Sequence, residues 1–239
     1  MSDDRKFFFV HVMKTAGTTF WFQARRTFKV DELYPTGKQG DDLMVARTSL
    51  ECLRTLPPER KDRVRLFSGH FPAMAVDVLG LDVVTMTILR EPVARTISML
   101  RHVLRGYPDH GSLEAVYENP VIYETLVHNH QAKLFALTVE DQPADYLHII
   151  DVTPARLDDA KERLHGFDSF GLTEAYDEYI TDVSRQFGWE FGDIPNQQVG
   201  GKPYDMSESF RNRIADDNAA DIEFYEYARG LYRARRKAA

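Results

Sequence analysis

The sequence predicts an α/β fold, a parallel central sheet flanked by helices, built as a single domain over residues 1–239. Two observations carry that expectation. The run from Lys6 to Met13 is apolar at nearly every position, as in a central parallel strand covered on both faces. It breaks into a short polar turn containing Gly17 and then into a helical pattern. The same order returns where the apolar run from Asp82 to Leu89 is followed by Pro92, a residue suited to the first turn of a helix. A chain of 239 residues suffices for one substantial domain of this kind.

The remaining elements follow in order. A helix is expected from Thr18 to Phe28, burying Phe20, Trp21, Ala24 and Phe28 while Arg25 and Arg26 face out. From Asp31 to Asp42 the chain is rich in Gly, Asp and Lys and reads as a surface loop placed to border a ligand site. Thr48 to Leu56 has helix character and Pro57-Pro58 ends it. Val64 to Gly69 is a short strand running into His70, so that His70 lies just past a strand end, where open α/β sheets bind ligands. The helix after Pro92 shows Val93, Ile97, Leu100 and Leu104 on one face with Ser98 beside it and Arg95, Arg101 and Arg105 elsewhere. Gly106 to Asn119 reads as a loop with a weak helical turn, and Val121 to Leu137 as one helix. Its His128 and His130, two residues apart, point to different helix faces and do not make a metal pair. A strand is expected from Tyr146 to Ile150, an amphipathic helix from Pro154 to Leu164 capped by Thr153, a strand from Asp168 to Thr173 and a helix from Glu174 to Phe187. Gln197 to Tyr204 reads as a flexible loop, and helices from Ser207 to Asp217 and Ala219 to Arg236 pack on the core.

The chemistry concentrates in Lys14-Thr15-Ala16-Gly17-Thr18-Thr19. A turn wrapped ahead of a helix N-terminus presents backbone N–H groups and the positive end of the helix dipole to an anion. Gly17 allows close approach, Thr15, Thr18 and Thr19 add hydroxyls, and Lys14 adds a full positive charge. The triphosphate loop G-x-x-x-x-G-K-[ST] is not matched, since Thr18 stands where the lysine belongs and Val12 where the first glycine belongs.

K-T-A-G-T-T after an apolar strand resembles the 5'-phosphosulfate loop of sulfotransferases that use 3'-phosphoadenosine 5'-phosphosulfate, and Leu89-Arg90-Glu91-Pro92-Val93-Ala94-Arg95-Thr96-Ile97-Ser98 resembles their 3'-phosphate block, an arginine and a serine eight residues apart. The likeness is to the carbohydrate-type, bacterial branch. It implies the P-loop nucleoside triphosphate hydrolase-like (sulfotransferase) fold, with Lys14, Thr15, Ala16, Gly17, Thr18, Thr19, Arg90 and Ser98 holding the donor. Lys14 would act on the leaving group and His70, in a G-H pair, would be the catalytic base; a locally bonded histidine is the alternative. Gly201 and Lys202 would close on the 3'-phosphate end, unless Lys202 is a solvated loop lysine. Asn129 and Gln131 resemble an N-x-Q segment near the acceptor, against a polar helix face. Glu174 would be an auxiliary base or acceptor contact, against a helix-start carboxylate favoured by the dipole. The acceptor would be a hydroxyl of a sugar, a lipid-linked glycan or another alcohol, the product adenosine 3',5'-bisphosphate, and no metal would be required.

The formal net charge of −7 argues against general nucleic-acid binding but leaves room for a basic pocket. The lone Cys52 forms no internal disulfide and reads as a small buried apolar residue in a reducing compartment. The first strand begins too near Met1 for a signal peptide, and no run reaches membrane-span length, which points to a cytoplasmic enzyme. Two other functions stay open: a P-loop nucleotide kinase-like phosphotransferase, which shares the fold but would need a lysine after Gly17, and a non-catalytic nucleotide-binding module.

Overall fold

The computed structural model describes residues 4–37, 40–141, 145, 147–192 and 206–238. Five parallel strands form one sheet in the order β2-β3-β1-β4-β5: β1 (Phe7–Val10), β2 (Leu33–Tyr34), β3 (Leu66–Gly69), β4 (Val84–Leu89) and β5 (Ser169–Leu172). Phe7 sits opposite Leu66 on one side and Val84 on the other, so the first apolar run is the centre of the sheet. The helices are α1 (Gly17–Ala24), α2 (Leu43–Ala46), α3 (Leu50–Arg54), α4 (Pro58–Arg63), α5 (Ala75–Leu79), α6 (Pro92–Gly106), α7 (Leu113–Glu118), α8 (Pro120–Ile122) and α9 (His130–Ala136). They continue with α10 (Pro154–His165), α11 (Tyr176–Phe187), α12 (Glu208–Asp217) and α13 (Ala219–Ala238).

All four residues of β1 are buried because both faces are covered. Phe7 and Phe9 pack against Phe20 and Ala24 of α1 and Tyr179, Val183 and Phe187 of α11. Phe8 and Val10 belong to the opposite core with α9, α10 and α13. A third cluster joins Ile97 and Leu100 of α6 to Val116 of α7 and Phe210 of α12, with Met13 of the first loop packed on it. Among the described residues no helix is long and apolar enough to cross a membrane.

Three local expectations are corrected. Leu33–Tyr34, read as part of a loop, is an edge strand paired with Leu66 and Phe67. Residues 147–150 are not a strand; Leu147 and Ile149 are exposed, and the edge beyond β4 is occupied by Ser169–Leu172 instead. The single helix expected from Val121 to Leu137 is broken into α8, a π-helical turn at Tyr123–Val127 and α9, with Asn129 left-handed at φ 47° between them.

The break has an electrostatic cause. Carbonyls released from the helical ladder there are taken by buried cations: Lys133 Nζ donates to Glu124 and Thr125, and Arg95 Nη2 to Leu126 and Val127. Burial lowers the Arg95 guanidinium to about 10 and the Lys133 ammonium to about 8, with Asp221 pulling both back up. Asp221 is itself fully buried and accepts from the Gln131 and Ala132 N–H groups, capping α9 from the first turn of α13.

Candidate active site

The chain crosses from β3 on one side of β1 to β4 on the other, so the loop after β1 opens at the switch point on the carboxyl edge of the sheet. Lys14 and Ala16 both have positive φ, 69° and 68°, while Thr15 and Gly17 between and after them do not. That alternation turns successive N–H groups toward one side, making an anion-binding concavity. It leads into α1, whose N-terminal residue Ala16 supplies no side-chain cap, leaving the first-turn N–H groups available.

Thr15 serves the loop itself. Its side chain is buried and its hydroxyl donates to the Val12 carbonyl at 2.9 Å, so the hydroxyl donor expected there is spent on holding the turn. Gly17 is required by the His11 imidazole, because a Cβ at position 17 would lie 2.1 Å from His11 Cδ2. Gly17→Ala is therefore expected to displace His11, cost about 1–3 kcal/mol of stability and lower activity, measured by thermal denaturation beside an activity assay. Unchanged stability would show that the ring moves freely.

Arg90 follows β4 directly, and its Nη1 donates to the Lys14 carbonyl at 3.2 Å, which brings the two predicted anion blocks together. Burial lowers the Lys14 ammonium from its ordinary value, and Arg105 and Arg90 push it further. His102 is likewise lowered, first by burial and then by Lys14 and Arg105. Ser98, Arg101, His102 and Arg105 fall at helical spacings i, i+3, i+4 and i+7 and share one stripe of α6. Arg101 and Arg105, placed elsewhere from the sequence, thus accompany Ser98, and that periodicity was the available signal. An anion bound among these cations would relieve their mutual repulsion.

Gln131 and Glu174 set this junction from behind. The fully buried Gln131 amide closes both hydrogen bonds on the Arg90 backbone, accepting from N–H at 3.0 Å and donating to the carbonyl at 2.8 Å. Glu174 accepts from the Glu91 N–H at 3.0 Å and the Tyr225 hydroxyl at 2.7 Å, while the Glu91 carboxylate caps α6 through Val93 and Ala94. Asn129 is also buried and accepts from the Asp221 N–H at 3.0 Å. The N-x-Q pair and Glu174, expected from the resemblance near the acceptor, thus make hydrogen bonds within the protein: Gln131 and Glu174 to the backbone of Arg90 and Glu91, and Asn129 to the start of α13. Gly201 and Lys202 lie outside the described residues.

His70 stands across the loop from this cluster. Its Nδ1 is 2.9 Å from the His11 carbonyl, an acceptor, so Nδ1 carries the proton and Nε2 keeps its lone pair. The two imidazoles pack with ring centroids 4.4 Å apart. Burial holds His70 below the ordinary 6.5, partly opposed by its bond to His11, with Arg47 and Lys14 adding to the fall. Burial and the His70 neighbour hold His11 well below that value too. Both rings are therefore neutral near pH 7. His70, His11 and Thr18 line a cavity of about 730 Å³ between α1 and the segment from Val30 to Arg47. Arg47, which no sequence pattern singled out, also lines it.

No family model and no curated protein matches the sequence. Among solved structures, a sulfotransferase from Alicyclobacillus acidocaldarius is similar with a TM-score of 0.51 and 16% identity, covering 93% of this chain and 94% of that one. At that identity the likeness is one of fold, and the parallel sheet with its flanking helices is consistent with the P-loop-like sulfotransferase architecture.

Proposed function

We propose that the chain is a sulfotransferase, moving a sulfuryl group from 3'-phosphoadenosine 5'-phosphosulfate to an acceptor hydroxyl. The observation that carries this reading is His70: an imidazole whose Nδ1 proton is directed to the His11 carbonyl, which makes Nε2 the basic nitrogen, in the lining of the cavity beside the Lys14 anion loop. The residues fit a donor with two anionic ends. The Lys14–Thr19 turn, with its alternating φ, suits the 5' end, and Arg90 with Ser98 suits the 3'-phosphate. The donor supplies a sulfuryl group on a good leaving phosphate. His70 Nε2 takes the acceptor hydroxyl proton, and Lys14 holds negative charge on the leaving side.

A labelled-donor transfer assay tests this, with His70→Asn as the variant, since asparagine keeps a donor for the His11 carbonyl but no base. Turnover is expected to fall by about 10²–10⁴-fold, with adenosine 3',5'-bisphosphate binding retained. Because His70 titrates below 6.5, the base stays unprotonated as pH falls through that value, and the acid limb of kcat/KM lies under pH 6.5 and disappears in the variant. Failure to consume the donor with any acceptor, or tighter binding of magnesium-ATP than of the bisphosphate, would overturn the reading.

A further inference from the structure

The cavity beside His70 has a composition that selects among acceptors. Its described lining contains no Asp, Glu, Asn or Gln, the side chains that pair with the many hydroxyls of a sugar. Besides the hydroxyls of Thr18, Thr36 and Ser68, the uncharged wall is apolar: Trp21 and Phe22 from α1, Leu33 and Pro35 from the edge strand and its turn, and Leu43 from α2. Val30, also in the lining, is 40% exposed, and Met44 and Val45, next to Leu43 in α2, are exposed by 73% and 48%. Such exposure of large apolar side chains around a cavity fits a ligand with an apolar body.

Against these walls stand cations. Arg25, Arg26 and Arg47 line the cavity, and none of them makes an ion pair with a carboxylate among the described residues. The acids flanking Arg47 in sequence are already used: Asp41 pairs with Arg60, Asp42 caps α2 through the Met44 and Val45 N–H groups, and Glu51 pairs with Arg54. Arg47 is the best placed of the three. Its carbonyl accepts from the His70 N–H at 2.7 Å, which ties it to the base, and its Nε donates to the Leu43 carbonyl at 2.6 Å. Among the described residues its two Nη groups have no hydrogen-bond partner, and their fork has the geometry that receives a carboxylate. Arg25 lies at the mouth with Cζ 4.6 Å over the Phe22 ring.

We propose that the acceptor is an anionic amphiphile, a hydroxyl compound with an aromatic or aliphatic body seated between Trp21 and Leu43 and one acidic group held by Arg47. The proposal rests on the sulfotransferase reading and narrows its acceptor from sugars and alcohols in general to hydroxy acids. Transfer forms the new ester bond to the acceptor oxygen as the bond from sulfur to the donor's phosphate oxygen breaks; the hydroxyl proton goes to His70 Nε2, and the acid group is unchanged.

Matched acceptors test it: 4-(4-hydroxyphenyl)butanoate against its methyl ester, and 12-hydroxydodecanoate against 1,12-dodecanediol. For the wild-type protein kcat/KM for each acid should exceed that of its neutral partner by about tenfold or more, the worth of a charge-assisted pair. Arg47→Gln should collapse that ratio to within about twofold of unity, and Arg47→Lys should restore part of it. Calorimetry of the same compounds with adenosine 3',5'-bisphosphate present should show the same order of affinity. Equal or better use of the neutral partners overturns the proposal, as does an Arg47→Gln loss equal for acids and neutrals, which would put Arg47 on the transferred group. If the acids bind selectively yet nothing is transferred, the acceptor assignment stands and the catalytic reading fails. Transfer to neutral sugars without binding of the acids gives the reverse. The wild-type ratio decides the matter even if the glutamine variant does not fold.

Discussion

Lys14→Met should lower turnover by about 10²–10³-fold while leaving the protein as stable as before or slightly more so. Methionine keeps most of the stem's length and apolar contact but removes the ammonium. In the free protein that ammonium is disfavoured, first by burial and then by Arg105 and Arg90, so its loss relieves repulsion. In the proposed reaction the same charge would face a developing negative oxygen, and the turn itself has no other full charge. The effect should fall on kcat more than on the affinity for adenosine 3',5'-bisphosphate, because Arg90 and the backbone N–H groups still hold the nucleotide. Steady-state kinetics with calorimetric titration of the bisphosphate separates the two. A loss confined to affinity would make Lys14 an anion contact only, and the leaving group would then be served by Arg105 or Arg90.

Asp221→Ala is expected to destabilise the fold by about 3–5 kcal/mol, the cost of leaving buried cations without their counter-charge. Asp221, Arg95 and Lys133 are all but fully buried, and among the described residues no other carboxylate is buried. Arg95 already carries Nε and Nη1 without hydrogen-bond partners, so the network has no reserve with which to absorb the loss. The Gln131 and Ala132 N–H groups would lose their acceptor at the same time. Thermal denaturation should show a fall of roughly 6–20 °C for a domain of this size. Asp221→Asn keeps an acceptor oxygen and should fall less. A fall of under about 2 °C in the alanine variant would mean that water or a shifted side chain replaces the carboxylate.

The elements that could be read from the chain are those whose local pattern agrees with their tertiary place. The central strand announced itself because burial on both faces leaves no polar position, and Pro92 marked the start of α6 because its missing N–H is free of cost only there. Lys14, His70 and Arg90 were visible as side chains just past apolar strand ends, and the structure gathers them at one sheet edge. The two-residue strand at Leu33–Tyr34 was hidden because a strand that short has no period to detect. The broken helix before α9 was hidden for another reason: its cause lies in Arg95 and Asp221, far away in sequence. Gln131 read as an acceptor contact or part of a polar helix face because nothing local says that its amide will close on the backbone of Arg90.

That clasp also has a consequence in time. Lys14 and its turn leave the ribosome early, whereas Asp221, which caps α9 and so steadies Gln131 against Arg90, follows roughly 10–40 s later at ordinary rates of synthesis. Until then the anion loop can rest on β1, but the backbone of Arg90 has no finished support. Both anion blocks are thus made in the first half of translation, while the support of the second is completed only with the last helix.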